Sequence, residues 1–135
     1  MSADGEHVQL FLGEHEREQA DRSFPHGDVC VRSLRSPDKQ TDNEDSAAII
    51  QVDDDSLVLA VADGVGGSVA GREASNAAVR TLSKVLTKAP DETSQARPTI
   101  LDAVEEANKA VLGLARGAAT TLVVAQLDAT RLRSY

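Results

Sequence analysis

Aromatic side chains and cysteine are almost absent from this chain. Only 2% of its 135 residues are aromatic, and none lies between Phe24 and Tyr135. The interior there must be built from Ala, Val, Leu and Ile, which bury less apolar area per side chain than aromatic rings do. The single cysteine, Cys30, excludes an internal disulfide and is typical of a reducing compartment. We expect Cys30 to be buried as a small apolar side chain.

The chain also lacks a long apolar segment, a signal sequence and an excess of positive charge. Its longest apolar run, Leu57 to Ala62, is far shorter than the roughly 20 residues of a membrane helix. The first ten residues contain no basic n-region. The net charge of −8 repels the phosphates of nucleic acids. We therefore expect a cytoplasmic protein that binds neither membrane nor nucleic acid.

The distribution of apolar residues divides the chain at about residue 26. Residues 1–26 are mostly polar and contain all three histidines, without the HExxH spacing that places two rings on one metal. Such a composition is typical of a mobile or loosely attached extension. Residues 27–135 are expected to form the folded domain.

Beyond residue 26, short apolar runs alternate with two amphipathic segments. Strands are expected at Val29–Leu34, Ala47–Val52, Leu57–Ala62, Thr120–Leu127 and Arg131–Tyr135. The second and third of these, joined by a short polar turn, predict an antiparallel hairpin. One helix is expected to have Ala74, Ala78, Leu82, Val85 and Leu86 on its apolar face, and a second to have Leu101, Val104, Asn108 and Val111.

Two acidic groups flank the predicted hairpin. Glu44 and Asp45 precede its first strand, and Asp63-Gly64 follows its second. The start of one hairpin strand lies beside the end of its partner, so we expect these carboxylates to lie close together. Clustered carboxylates raise one another's pKa unless a proton or cation joins them, and their hard oxygens suit magnesium or manganese. Spacing alone leaves two interpretations open: a metal site, or a plain turn with a solvated aspartate.

Three motifs together resemble the type 2C (PPM-type) family of metal-dependent protein serine/threonine phosphatases. They are NEDS at residues 43–46, VADGVGGSVAGREAS at residues 61–75, and Thr-Thr-Leu at residues 120–122. Their order and spacing are those of the N-terminal half of the family's catalytic domain. The resemblance implies an α+β fold, the N-terminal part of a four-layer αββα sandwich in which helices flank two antiparallel sheets.

The resemblance also implies a site for two divalent cations, Mn²⁺ or Mg²⁺. Asp63 would bridge the ions, the carbonyl of Gly64 would bind one, and Glu44 would hold the second with support from Asp45. We call these four residues the predicted ligand set. A metal-activated water, with no side-chain nucleophile, would then hydrolyse phosphoserine or phosphothreonine. The implied partners are a phosphorylated protein substrate and a cognate serine/threonine kinase.

The chain departs from the family's pattern in two places. Gln40 occupies the position of a phosphate-binding arginine, and Lys39 or Arg35 is the candidate substitute, although lysine lacks bidentate geometry. The family's Gly-Asp-Ser strand and two later Asp ligands would follow Tyr135. We therefore expect residues 27–135 to be a domain truncated before the later metal-ligand motifs, with an incomplete metal site and little or no phosphatase activity by itself.

Two functional hypotheses follow from these motifs. The predicted ligand set favours a phosphatase, whereas Gln40 and the missing later motifs favour a non-catalytic, pseudophosphatase-like interaction module. A nucleotide-binding loop is disfavoured, because Gly71 is followed by Arg72 and Glu73 where a phosphate-binding loop has Lys and Ser or Thr.

Overall fold

The structure is a computed structural model that describes residues 7–65, 69–88, 96–114 and 117–135. Within these ranges the chain forms eight strands and two helices. The strands are β1 (Val8–Phe11), β2 (Arg17–Phe24), β3 (Gly27–Leu34), β4 (Asp45–Gln51), β5 (Leu57–Val65), β6 (Ala119–Thr120), β7 (Val123–Leu127) and β8 (Leu132–Ser134). The helices are α1 (Val69–Lys88) and α2 (Ala96–Leu112).

The strands form two antiparallel sheets. The larger has the order β1-β4-β5-β7-β8, with β6 paired to β5, and the smaller consists of β2 and β3. The β4–β5 hairpin lies at the centre of the larger sheet, and its register pairs Gln51 with Leu57 and Asp45 with Asp63. The sequence predicted this hairpin and its polar turn, and both predictions are confirmed.

Alternating side chains of the central hairpin build a separate core on each face of the larger sheet. Ile50 and Val58 point to the face covered by α1 and α2, whereas Ile49 and Leu57 point to the face covered by β2 and β3. Each such side chain contributes about 1.5–3 kcal/mol when it is fully buried. The alternation therefore fixes which face of the hairpin each helix or strand covers.

The α+β class, the two antiparallel sheets and the flanking helices are confirmed. The described residues form three of the four expected layers: helices, the larger sheet and the β2–β3 sheet. Val61 and Val123 are register partners on the face that carries β2 and β3, and they are 56% and 58% exposed. Within the described ranges, the β2–β3 sheet thus covers only part of that face.

Residues 8–24, which belong to the segment expected to be an extension, include strands β1 and β2. Strand β1 pairs with β4, with Val8 opposite Ile50, and Phe11 is only 3% exposed. Strand β2 was missed because its inward positions include polar residues, so its composition resembles that of a solvated segment. Residues 1–6 of the predicted extension lie outside the described ranges.

Helix α2 was predicted correctly, but it buries a different face from the expected one. Ile100, Ala103 and Ala107 are each at most 1% exposed, whereas the expected core residue Leu101 is 48% exposed. The prediction weighted large aliphatic side chains, but α2 packs against α1, and Ile100 and Ala103 join the same core as Val79, Leu82 and Leu86 of α1. Neither α1 nor α2 combines the length and apolarity that a membrane-spanning helix needs.

Cys30 is exposed, which corrects the expectation that it is buried. On β3 it alternates with Val29 and Val31, whose side chains pack into the core beneath the β2–β3 sheet. Cys30 therefore points outward, opposite Asp21 in the register. A hydrogen bond with Asp21 raises the pKa of its thiol.

Candidate metal centre

The open end of the β4–β5 hairpin brings the predicted carboxylates together. Asp45 begins β4 and is the register partner of Asp63 near the end of β5. Glu44 directly precedes Asp45, and all three residues line one cavity of about 140 Å³. The expected proximity of the two acidic groups is therefore confirmed.

The electrostatics of this cavity favour a cation. Burial raises the pKa of Asp45, and the charge of Asp63 and a hydrogen bond to it raise that pKa further. Lys39 opposes the shift. Two carboxylates in contact need a proton or a cation between them, and an all-oxygen donor set of this kind fits Mg²⁺ or Mn²⁺.

The carboxylates do not form a finished ligand cage. Among the residues that the structure describes, no three carboxylate, imidazole or thiol groups converge in a ligating arrangement. Like charges repel at short range, so we expect Glu44, Asp45 and Asp63 to converge fully only around a cation. The donor chemistry therefore fits a divalent ion, although the arrangement is open.

The loop directly before β4, residues 42–44, is called the acidic loop. It is held by contacts from the segments that precede it. Buried Asn43 accepts a hydrogen bond from the amide of Asp45 at 3.2 Å and donates one to Ser33 Oγ at 2.7 Å. Gly13, with a φ of 66°, lies so close that an added Cβ would be 2.8 Å from the carbonyl oxygen of Asn43. The chain between β1 and β2 thus supports the acidic loop directly.

Thr120 and Thr121 fix the backbone of Asp63. The Thr121 amide donates to the Asp63 carbonyl at 2.9 Å, and Thr121 Oγ1 accepts from the Asp63 amide at 3.2 Å. Thr120 Oγ1 lies 3.0 Å from the same carbonyl and 2.9 Å from that of Thr121, and either carbonyl can accept its proton. These contacts also explain why the strand expected at Thr120–Leu127 is divided into β6 and β7. The sequence identified this Thr-Thr-Leu motif by resemblance without assigning it a contact.

Gly64 and Gly71 allow the first turn of α1 to approach the acidic residues. The amide of Gly64 donates to the Glu44 carbonyl at 3.1 Å. A Cβ added to Gly71 would lie 3.0 Å from the Gly64 carbonyl carbon and 3.3 Å from Glu44 Cδ. Gly71 lies in the first turn of α1, which begins at Val69. Two other glycines expected in this turn, at positions 66 and 67, lie outside the described residues.

The two candidate phosphate-binding cations differ in position. Lys39 lines the cavity, whereas Arg35 pairs with Glu16 at 3.2 Å and is not part of the cavity lining. A third cation near the acidic loop was missed by sequence reasoning. Arg72, in the first turn of α1, donates to Asp42 at 2.6 Å, and this partner lies 30 positions away in the chain.

Replacing Asp45 with asparagine is expected to stabilise the metal-free chain at pH 7 by less than about 1 kcal/mol, because solvent screens this partly exposed pair. The raised pKa means that the folded state holds the Asp45 proton more tightly than the unfolded state does. The contribution of Asp45 to wild-type stability therefore falls as pH rises above the ordinary aspartate value of 3.8, and the variant lacks this loss.

Urea unfolding of both proteins in a chelator at pH 7 and near pH 3.5 measures this difference. The gain in stability of Asp45→Asn should disappear at the lower pH. A variant that is less stable than wild type at pH 7 would contradict the repulsion between Asp45 and Asp63.

Comparison with protein families adds one match. The model of the family described as protein phosphatase 2C matches residues 36–133, well over half of the chain. The matched range includes the acidic loop, both helices and the strands from β4 through β7. No curated protein and no solved structure gives a significant match.

Proposed function

Because the chain belongs to the protein phosphatase 2C family, we propose that it carries metal-binding residues of a phosphoserine/phosphothreonine phosphatase. One observation carries the proposal most strongly. Asp45 and Asp63 are register partners whose side chains contact each other in a cavity that Glu44 also lines. Acidic residues brought together in this way destabilise the fold unless a cation or a proton joins them.

In this proposal the predicted ligand set holds two Mn²⁺ or Mg²⁺ ions. Asp63 would be a ligand of both ions, the Gly64 carbonyl would bind one, and Glu44 would hold the other with support from Asp45. Bound ions supply the activation of the attacking water and neutralise charge on the phosphoryl group. The protein contributes oxygen ligands carried on a fixed backbone, since Thr121 holds the backbone of Asp63.

The substrate in this proposal is a phosphorylated protein, and a cognate serine/threonine kinase is the second partner. Lys39 is the better candidate for phosphate binding, because it lines the cavity and Arg35 does not. As a point charge, Lys39 attracts phosphate without the two parallel hydrogen bonds that arginine provides. We also propose that the folded domain includes β1, because β1 pairs with β4 and Gly13, which follows β1, packs against the acidic loop.

Release of phosphate from a phosphothreonine peptide tests this function. At saturating Mn²⁺ we expect slow hydrolysis, which a chelator and the Asp63→Asn substitution both abolish. The hydrolysis should be slow because three carboxylates and one carbonyl leave most coordination positions of two octahedral ions to water. Hydrolysis that persists without metal, or that Asp63→Asn leaves unchanged, would contradict the proposal.

A non-catalytic interaction module is the second candidate function. Two observations favour it: Gln40 replaces the phosphate-binding arginine, and within the described residues the carboxylates do not converge in a ready-made cage. A scaffold has no reason to keep a metal site. Calorimetric titration of the chain with MnCl₂ separates the two functions, since the phosphatase requires binding and the module predicts none.

A further inference from the structure

Ser75 connects helix α1 to the predicted ligand set through a buried hydrogen bond. Its side chain is fully buried, and its hydroxyl donates to the Glu44 carbonyl at 2.6 Å. The other acceptors within its reach are more distant: Ser46 Oγ at 2.9 Å and the carbonyl of Arg72, one turn earlier, at 3.2 Å. The one proton of the hydroxyl therefore goes to Glu44, outside the helix.

The Glu44 carbonyl that accepts this bond also accepts the amide of Gly64 at 3.1 Å. A single carbonyl oxygen thus joins α1 to two residues of the predicted ligand set, one before β4 and one near the end of β5. Ser46 completes the contact: its side chain is 2% exposed, lies 2.9 Å from Ser75 Oγ and donates to Asn76 Oδ1 at 2.7 Å.

Another buried serine of the same helix shows that this contact is not a requirement of burial. Ser83 is 4% exposed, and its hydroxyl donates to the carbonyl of Val79, four residues earlier in α1. A buried helical serine can therefore satisfy its hydroxyl within its own helix. Ser75 instead donates across to the acidic loop.

We propose that Ser75 is a positioning residue for the metal centre. By holding the Glu44 carbonyl, it fixes the backbone of Glu44 and, through the shared hydrogen bond, the backbone of Gly64. The ligands on β4 and β5 then keep their separation when no ion is bound. The effect on metal affinity rests on the proposed function, whereas the effect on the Glu44–Gly64 hydrogen bond does not.

The test compares Ser75→Ala with Ser83→Ala, two identical substitutions of buried serines in one helix. In the metal-free chain, hydrogen exchange of the Gly64 amide should become about tenfold faster in Ser75→Ala, relative to the amides of Ile50 and Val58. Such a factor corresponds to about 1.4 kcal/mol, the scale of one hydrogen bond. Ser83→Ala should leave the relative exchange of Gly64 unchanged.

Calorimetric titration with MnCl₂ is the second readout. We expect the affinity to fall about tenfold in Ser75→Ala and to be unchanged in Ser83→Ala. Ser75→Cys, which has the same shape with a slightly larger sulfur atom and only a weak donor, should behave like Ser75→Ala and serves if the alanine variant does not fold.

The two readouts separate failure of this inference from failure of the proposed function. A wild-type chain that does not bind Mn²⁺ would refute the function, and hydrogen exchange at Gly64 would still decide whether Ser75 holds the backbone. Equal effects of the two alanine substitutions on Gly64 exchange would overturn the positioning role. So would unchanged Mn²⁺ affinity in Ser75→Ala when wild type binds the ion.

Discussion

Replacing Asp63 with asparagine is expected to lower the affinity of the chain for Mn²⁺ by more than about 100-fold. Asp63 is the carboxylate proposed to contact both ions, and changes to residues that only support ligands already cost 10–100-fold. Asparagine keeps the size of the side chain. The bonds of Thr120 and Thr121 to Asp63 involve its backbone, so the fold should be preserved. Titration calorimetry of the metal-free chain with MnCl₂ measures the effect.

Asp54→Asn is the matched control for this substitution. Asp54 is an exposed aspartate in the turn at the opposite end of the same hairpin, so the change in net charge is identical. We expect its Mn²⁺ affinity to differ little from that of wild type. Equal losses of Mn²⁺ affinity in the two variants would show that binding depends on the total charge of the chain and not on a defined site.

The Gly64→Ala substitution is expected to destabilise the fold by about 3 kcal/mol, the upper end of the usual cost of overpacking, because the neighbours are rigid backbone. A Cβ at this position would lie 2.7 Å from the Glu44 carbonyl oxygen and closer still to that of Gly71. Both obstacles are backbone atoms, so no change of rotamer relieves the clash. Urea unfolding measures the loss.

Gly113→Ala provides the control for the loss of a glycine. Its added Cβ would lie 3.5 Å from the Ala110 carbonyl oxygen, an ordinary van der Waals contact. Its stability should lie within about 1 kcal/mol of wild type. Gly64→Ala with wild-type stability would mean that α1 does not pack this closely on β5, and the geometry described for Ser75 would then be wrong as well.

The sequence predicted the central hairpin and the acidic cluster because both depend on local signals. A polar turn between two apolar runs determines the hairpin, and the hairpin register places Asp45 opposite Asp63. The same local reasoning located helix α1 from its apolar spacing. Local patterns were therefore sufficient to predict that these acidic residues lie close together, whereas their proposed role as metal ligands rests on the family resemblance.

The missed features depend on contacts between distant segments. Strand β2 has polar residues on its inward face, so its composition did not reveal that it covers the larger sheet. Ser75 was part of a recognised motif, but its bond to the Glu44 carbonyl spans 31 positions and requires the packing of α1 on the hairpin. The alanine face of α2 was overlooked because small residues carry little hydrophobic signal.

The central claim is that the two acidic groups, Glu44 with Asp45 and Asp63 with Gly64, together form one cation-binding site. Locating Mn²⁺ by its paramagnetic effect is the most direct test of this claim. In an amide NMR spectrum, substoichiometric Mn²⁺ should broaden the resonances of Glu44, Asp45, Asp63 and Gly64 first. The aspartates at residues 53–55, at the far end of the hairpin, should keep sharp resonances. Broadening that centres on residues 53–55, or that spreads evenly over the surface, would contradict the claim.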